Sequence, residues 1–568
     1  MRKSILISDM SKCEPSGIIA DRGREGCWWK ADYELQSGEK GVMLYAEPKD
    51  KPGELRLKLD AKGAYRIYVG MNYTFQNYQN GHTDRLLEMD YGAVFLRLSN
   101  DRGFTRIGIE KLDARTKDVF KEKTKPEKAT KEHFNTIYEA YWKTAELDDQ
   151  ELIISAPKEP YDNQYYGQVA NISFLRLVPA DEDDMDFEKR LIPADDTRKL
   201  TALWCSGAIS GHTSGQTMYH PTTREWFETE VQPYRDGDFN ILCIEAMRGN
   251  LCCFKTAKGD VGTEDNSWPE EWVDPLKEFT VLGHDAGMKV FAALRMIGGS
   301  RPYSRYPINW ARFFWDNLQW AKRDREGEVC GSLSIAYKEV RDHWLSLMEE
   351  ALERGIDGLQ LHLNRCSPFV MYEEPAVADY IKKYSADPRT IPEDISWRRH
   401  TAGYMTMFVE EIRRLLDKKE NRQLALMVEG YDEFLPGTPG SGVDAEELLK
   451  RGLVDYIYLE SGTDPRYIEH FKKLGGGRVK VYYDLMPRTQ PGEAYVDLAR
   501  KFYEMGADGF TLWDCERRVQ RISEWAVIKH LGKKHMLQEI RERAAGYYNM
   551  HRIKKHKGLN AVFSYKDG

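Results

Sequence analysis

Three stretches of the chain decide its fold: LERGIDGLQLHL (352–363), LKRGLVDYIYLE (449–460) and YEMGADGFTLWD (503–514). In each, a helical pattern ends at a glycine, a short turn carries an aspartate, and an apolar run follows. Strands that are apolar on both faces and alternate with helices are parallel and buried in a sheet. Working outward gives eight such runs: from Thr201, Phe239, Lys289, Asp357, Leu424, Val454, Val479 and Gly509. Amphipathic helices separate them, among them 339–355 and 491–506, the latter with Pro-Gly at its start and Gly506 past its end. Eight βα units across about 345 residues predict a (β/α)8 TIM barrel. The rival open sheet would need a glycine-rich phosphate loop after its first strand. The sequence there, GAISGHTSG, lacks GxGxxG spacing.

Before residue 195 the pattern differs. LRLKLD (55–60), YRIYVG (65–70), VFLRLS (94–99), ELIISAP (151–157) and ISFLRLV (172–178) alternate apolar and polar residues. That period belongs to antiparallel strands, and their number predicts a jelly-roll-like β-sandwich. The acidic segment 179–196, with two prolines, reads as a linker. The expected division is residues 1–195 as an accessory sandwich and 196–568 as the barrel.

Composition narrows the function. The 568 residues carry a net charge of −8 with both signs interspersed, and the basic run 117–131 is broken by acids. No basic stripe for nucleic acid is present. No run of about 18 apolar residues occurs, so no membrane span is expected, and the apolar part of MRKSILISDM is too short for a signal peptide. Nine cysteines without a CxxC pair suit reduced thiols in a cytoplasmic protein. The chain's size permits a homodimer and nothing requires one.

Barrels build active sites at the C-terminal ends of their strands, and here those ends are rich in ionisable groups. Glu245 and Arg248 close the second strand and Arg295 the third. His362, Asn364 and Arg365 close the fourth, followed by Tyr372, Glu373 and Glu374. Glu429 ends the fifth and Glu460 the sixth. Asp484 and Arg488 follow the seventh, Trp513 and Asp514 the eighth. Carboxylates without a serine or cysteine nucleophile pattern point to glycoside hydrolysis, where one acid protonates the leaving oxygen and a second attacks or activates water. Glu429 and Asp514 are the first choice for that pair, at a separation suited to inversion, with Glu460 and Glu374 in reserve. Glu245, Arg295, His362, Asn364, Arg365, Asp484, Arg488 and Trp513 are the expected sugar-binding residues. Trp204, Trp268, Trp310 and Trp315 are further stacking candidates. No cofactor is expected, and His212, His220 and His362 lack the HxH or HExxH spacing of a metal site. Two other functions fit the same rim: a non-catalytic carbohydrate-binding barrel, and a metal-dependent sugar isomerase or lyase.

The stretches GIDGLQLHLNR, FVMYEEPAVADYIKKYSADPR, RGLVDYIYLE and YYDLMPRTQPGEAYVDLARKFYEMGADGFTLWD, within about residues 335–530, resemble the glycoside-hydrolase-like (β/α)8 proteins of the family-10-type group. The resemblance implies a carbohydrate substrate and a sandwich of carbohydrate-binding type. Members commonly read DGIHLDYIRYP at the fourth strand. Here DGLQLHLNRCSP places His362 and Asn364 where that acid would stand.

Overall fold

The computed structural model describes residues 2–21, 23–46, 50–72, 93–108, 136–156, 170–204, 223–261, 268–270, 272–295, 312–363, 368–392, 395–419, 422–428, 442–485, 491–513, 515–519 and 521–557. The basic run 117–131 lies outside them.

The eight expected parallel strands are β1 (Leu200–Trp204), β2 (Phe239–Arg248), β3 (Lys289–Arg295), β4 (Gly358–His362), β5 (Gln423–Val428), β6 (Tyr456–Leu459), β7 (Lys480–Asp484) and β8 (Gly509–Trp513). Each pairs with its neighbours in chain order, and β1 pairs with both β8 and β2, which closes the barrel. The predicted helices fall at Lys338–Leu352 and Gly492–Glu504.

The repeated motif has a physical basis. Gly355, Gly452 and Gly506 all adopt positive φ (81°, 65° and 94°), the left-handed turn that stops a helix and that glycine adopts without a Cβ penalty. The aspartate that follows clips a neighbouring strand in all three cases. Asp357 accepts from the Val290 N–H, Asp455 from Leu424 and Asp508 from Val481, each at 2.8 Å. The motif therefore stitches β3, β5 and β7 to the turns before β4, β6 and β8.

Strand alternation sorts side chains into two cores. Leu359, Leu426, Ile457, Val481 and Leu512 face the helices. Leu203, Ile241, Cys243, Phe291, Ala293, Ala425, Met427, Tyr456, Tyr458, Tyr482 and Trp513 pack together in the lumen. A Cβ at Gly509 would lie 2.1 Å from the Lys199 carbonyl and 2.9 Å from the Tyr482 ring. Glycine there lets the aromatic residues fill the lower lumen.

The N-terminal strands are antiparallel, as expected, apart from the short parallel pair formed by Ile19–Ala20 and Trp28–Leu35. They form a curled nine-stranded sheet and a four-stranded sheet, with apolar side chains of both, including Trp28, Leu57, Leu96, Ile154 and Leu175, in one core. The last strand of this region comes from the far end of the chain. Tyr548–Lys557 inserts between Thr136–Asp148 and Trp28–Leu35, pairing antiparallel with both. Residues 548–557 thus belong to this sheet, although the sequence pattern placed them with the barrel.

The segment read as a linker is a helix, Glu182–Leu191. Asp181 and Asp184 form a reciprocal capping box, and Phe187 and Leu191, one turn apart, are buried against the barrel core. Its acidic composition masked that short apolar stripe. Arg190 then joins it to Glu539 through two hydrogen bonds of 2.7 Å. Among the described residues, no helix is long and apolar enough to cross a membrane.

Candidate active site

The upper lumen gathers the strand-end residues singled out above. Glu245, His362 and Trp513 are buried, Arg295 is half-buried, and Glu460 and Asp484 lie within the same end of the barrel. They share one face because each stands an even number of residues beyond a lumen residue of its own strand: Tyr458 and Glu460, Tyr482 and Asp484, Ala293 and Arg295. At β2 a register shift between Glu245 and Met247 marks a bulge at the level of this site.

Two carboxylates here have opposite environments. Glu245 is almost fully buried, which alone would raise its pKa. The Arg248 guanidinium outweighs that effect, with Arg295 and His362 adding to it, and holds the group at about 2. Both Glu245 oxygens accept from Arg248, Nη2 at 2.9 Å and Nε more closely. This glutamate is a fixed anion locked to a cation, and it is poorly suited to proton transfer.

Asp484 is the reverse case. Burial pushes its carboxyl up to about 7, Arg518 opposes that, and neighbouring Glu460 pushes it further up. Its Oδ1 accepts from Thr511 Oγ1 and the Trp513 N–H, both at 3.1 Å, while Oδ2 is buried with no hydrogen-bond partner. Arg518 is itself anchored. Its Nη1 donates to the Leu485 carbonyl at 3.0 Å, its guanidinium lies 5.0 Å from the Tyr495 ring centre, and Glu524 lies 3.4 Å from Nη2. Glu460 and Asp484 extend adjacent parallel strands whose register pairs Leu459 with Tyr483. Adjacent strands lie about 4.8 Å apart, so the two carboxyls are near neighbours.

Trp513 forms one wall. The His362 ring meets it edge-on, with centroids 4.1 Å apart at 86°, and the Arg295 guanidinium lies 5.4 Å from its centre.

Several expected positions fall elsewhere. Glu429, Asp514, Asn364, Arg365 and Arg488 lie outside the described residues, as do Trp310, His212 and His220. Glu374 is exposed on the first turn of helix Glu374–Tyr384. Its neighbour Glu373 is fully buried and accepts the Met371 N–H at 2.8 Å and the Arg323 N–H at 3.3 Å. Trp204 packs outside the strands on Phe279 and donates to Glu230, Trp268 stands edge-on to Trp272, and Trp315 is exposed. Sequence reading missed Thr511 and Arg518, the residues that set the Asp484 environment. Alternation from Trp513 would have placed Thr511 in the lumen, but no local pattern marks Arg518. Among the described residues, no three His, Cys, Asp or Glu side chains cluster to hold a metal ion.

No family model and no curated protein matches the chain. Solved structures to which it is similar include a chitinase from Chromobacterium violaceum, 11% identical over 58% of this chain and 98% of that one, TM-score 0.31. Others are a GH30 endoxylanase from Clostridium papyrosolvens, 9% identical over 59% and 72%, TM-score 0.33, and an endo-β-1,6-glucanase, 11% identical over 59% and 76%, TM-score 0.35. These neighbours are glycoside hydrolases. Likeness at this level leaves the chemistry of this chain to be argued from its own residues.

Proposed function

We infer that the barrel hydrolyses a glycosidic bond, with Asp484 as the proton donor and Glu460 as its partner carboxylate. The observation that carries this reading is the Asp484 carboxyl, buried at a strand end, pushed to about 7 and set beside a second acid. A general acid works best when its pKa lies near the working pH, and burial, with a neighbouring anion adding to it, holds such an acid protonated. Asp484 thus moves from the sugar-binding role expected of it to the proton-donor role. Glu460 moves from reserve to partner.

In this mechanism the Asp484 proton passes to the glycosidic oxygen as the bond to the anomeric carbon breaks. The Glu460 carboxylate attacks that carbon and forms a glycosyl ester. Asp484, now ionised, takes a proton from water, which displaces the ester and returns Glu460. Neighbouring strands suit the separation of about 5 Å that this double displacement requires. Glu429, which follows Val428 in the sequence, is the third acid in the test.

The test is turnover of a panel of aryl glycosides by wild type, Asp484→Asn, Glu460→Gln and Glu429→Gln. Asp484→Asn and Glu460→Gln should each lower kcat by about 10² to 10⁴ with unchanged circular dichroism. Azide should restore turnover to the Glu460 variant if that residue is the nucleophile. Sugar binding without hydrolysis in wild type would overturn the reading in favour of a carbohydrate-binding barrel.

A further inference from the structure

The half-buried guanidinium of Arg295 projects into the same mouth from the end of β3, and among the described residues it forms no ion pair. The nearby anion does not supply one. Both oxygens of Glu245 are taken up by Arg248, and that pair is charge-balanced. Arg295 is therefore a cation with no described carboxylate bonded to it, in a site from which water is partly excluded. Its Cζ lies over the Trp513 ring, 5.4 Å from the centre. An arginine held in this way keeps its edge N–H groups for a planar, two-oxygen acceptor. Hydroxyl groups of a neutral sugar would leave the charge uncompensated, whereas an anionic substituent would pair with it.

We propose that the site takes an acidic sugar, a uronate or a sulfate ester, whose anionic group pairs with Arg295. This deepens the glycosidase reading and rests on it for catalysis, but not for binding. Asp484 accepts the Trp513 N–H, and the cation beside it, Arg518, is already held by the Leu485 carbonyl, the Tyr495 ring and Glu524. Arg295 is thus the described cation left to a ligand.

The experiment has two arms on the full chain. The first measures kcat/KM for 4-nitrophenyl glucuronides and galacturonides, the 6-sulfated glucoside and galactoside, and the neutral parents, in both anomers. The second measures binding of free glucuronate, galacturonate, glucose 6-sulfate and glucose by calorimetry, which needs no turnover. Wild type should favour an anionic sugar over its neutral parent by at least about tenfold, and Arg295→Gln should bring that ratio close to one. A structural defect in the variant would lower both rates and leave the ratio intact. Arg295→Lys, which keeps the charge and loses the fork, should retain part of the preference. Uronate preference over sulfate, or the reverse, identifies the anion. Anionic sugars that bind through Arg295 without any turnover would sink the glycosidase reading and uphold this one. Turnover or binding of neutral sugars with no anionic preference, or no binding at all, would overturn it.

Discussion

The two ends of the barrel lumen are built from the same strands, on the same face, two to four residues apart, and they differ completely. At the lower end Phe291, Tyr456 and Tyr482 meet edge to face, at 6.0 Å and 79° and at 5.8 Å and 88°. At the upper end, two or four residues further along the same strands, stand Arg295, Glu460 and Asp484, joined by Glu245, His362 and Trp513. Burial is similar at both ends, so burial did not choose the residue types. A packed aromatic layer releases apolar surface from water and holds the strands together. A layer of buried ionisable groups costs stability unless each is paired. The upper end pairs Glu245 with Arg248 and leaves Asp484 Oδ2 without a hydrogen bond. The difference locates where the barrel gives up stability for chemistry.

That contrast can be broken in several ways. The largest effect should come from the proton of Asp484. With its carboxyl near 7, kcat/KM should fall about tenfold for each pH unit above that value as the acid form is lost, and a pH–rate profile checks it. A profile flat from pH 6 to 9 would remove Asp484 from the chemistry.

Next come the structural costs. Phe291→Ala, at the aromatic end, should destabilise by about 3–5 kcal/mol in urea unfolding. Glu245→Gln should cost about 3 kcal/mol, because it leaves the Arg248 charge buried without its partner. The Glu245 pKa is depressed in the fold, so its contribution is present above its unfolded value and should be lost as pH falls toward about 2.

Asp484 should show the opposite sign. Its folded pKa is raised, so the folded state holds the proton more tightly, and stability falls as pH climbs from the unfolded value near 4 to about 7. Asp484→Asn, inactive, should therefore be more stable than wild type at pH 8, by about 1–4 kcal/mol, and not at pH 4. Thermal unfolding at the two pH values checks this. The smallest effect belongs to exposed Glu374, where alanine should shift stability by less than about 0.5 kcal/mol.

Much of this was readable in the chain. The Gly–Asp repeat is local: glycine must take the left-handed turn and aspartate must reach the next strand, so both leave a mark at fixed spacing. Barrel sites form at the C-terminal ends of the strands, which is why Glu245, Arg295, His362, Glu460, Asp484 and Trp513 could be named in advance from the ends of the apolar runs. Their roles could not. What separates Asp484 from Glu245 is a pair of contacts, Arg248 on one and Glu460 on the other, that come from pairing in space. The preference for Glu429 and Asp514 rested on their being the terminal acids of short strands, and such positions say nothing about neighbouring charge. The helix Glu182–Leu191 and the strand Tyr548–Lys557 were missed for related reasons. An acidic, proline-flanked stretch hides a two-residue apolar stripe, and a strand's partners 400 residues away leave no local trace.

That last strand has a consequence for how the protein is made. It lies in the middle of the nine-stranded sheet, with Thr136–Asp148 on one side and Trp28–Leu35 on the other. As the chain leaves the ribosome, the first 190 residues present two half-sheets with facing open edges. The whole barrel must be translated before residue 557 arrives to fill the gap. This sheet is thus begun before the barrel and completed after it, and its open edges are the nascent chain's point of exposure to aggregation and to chaperones.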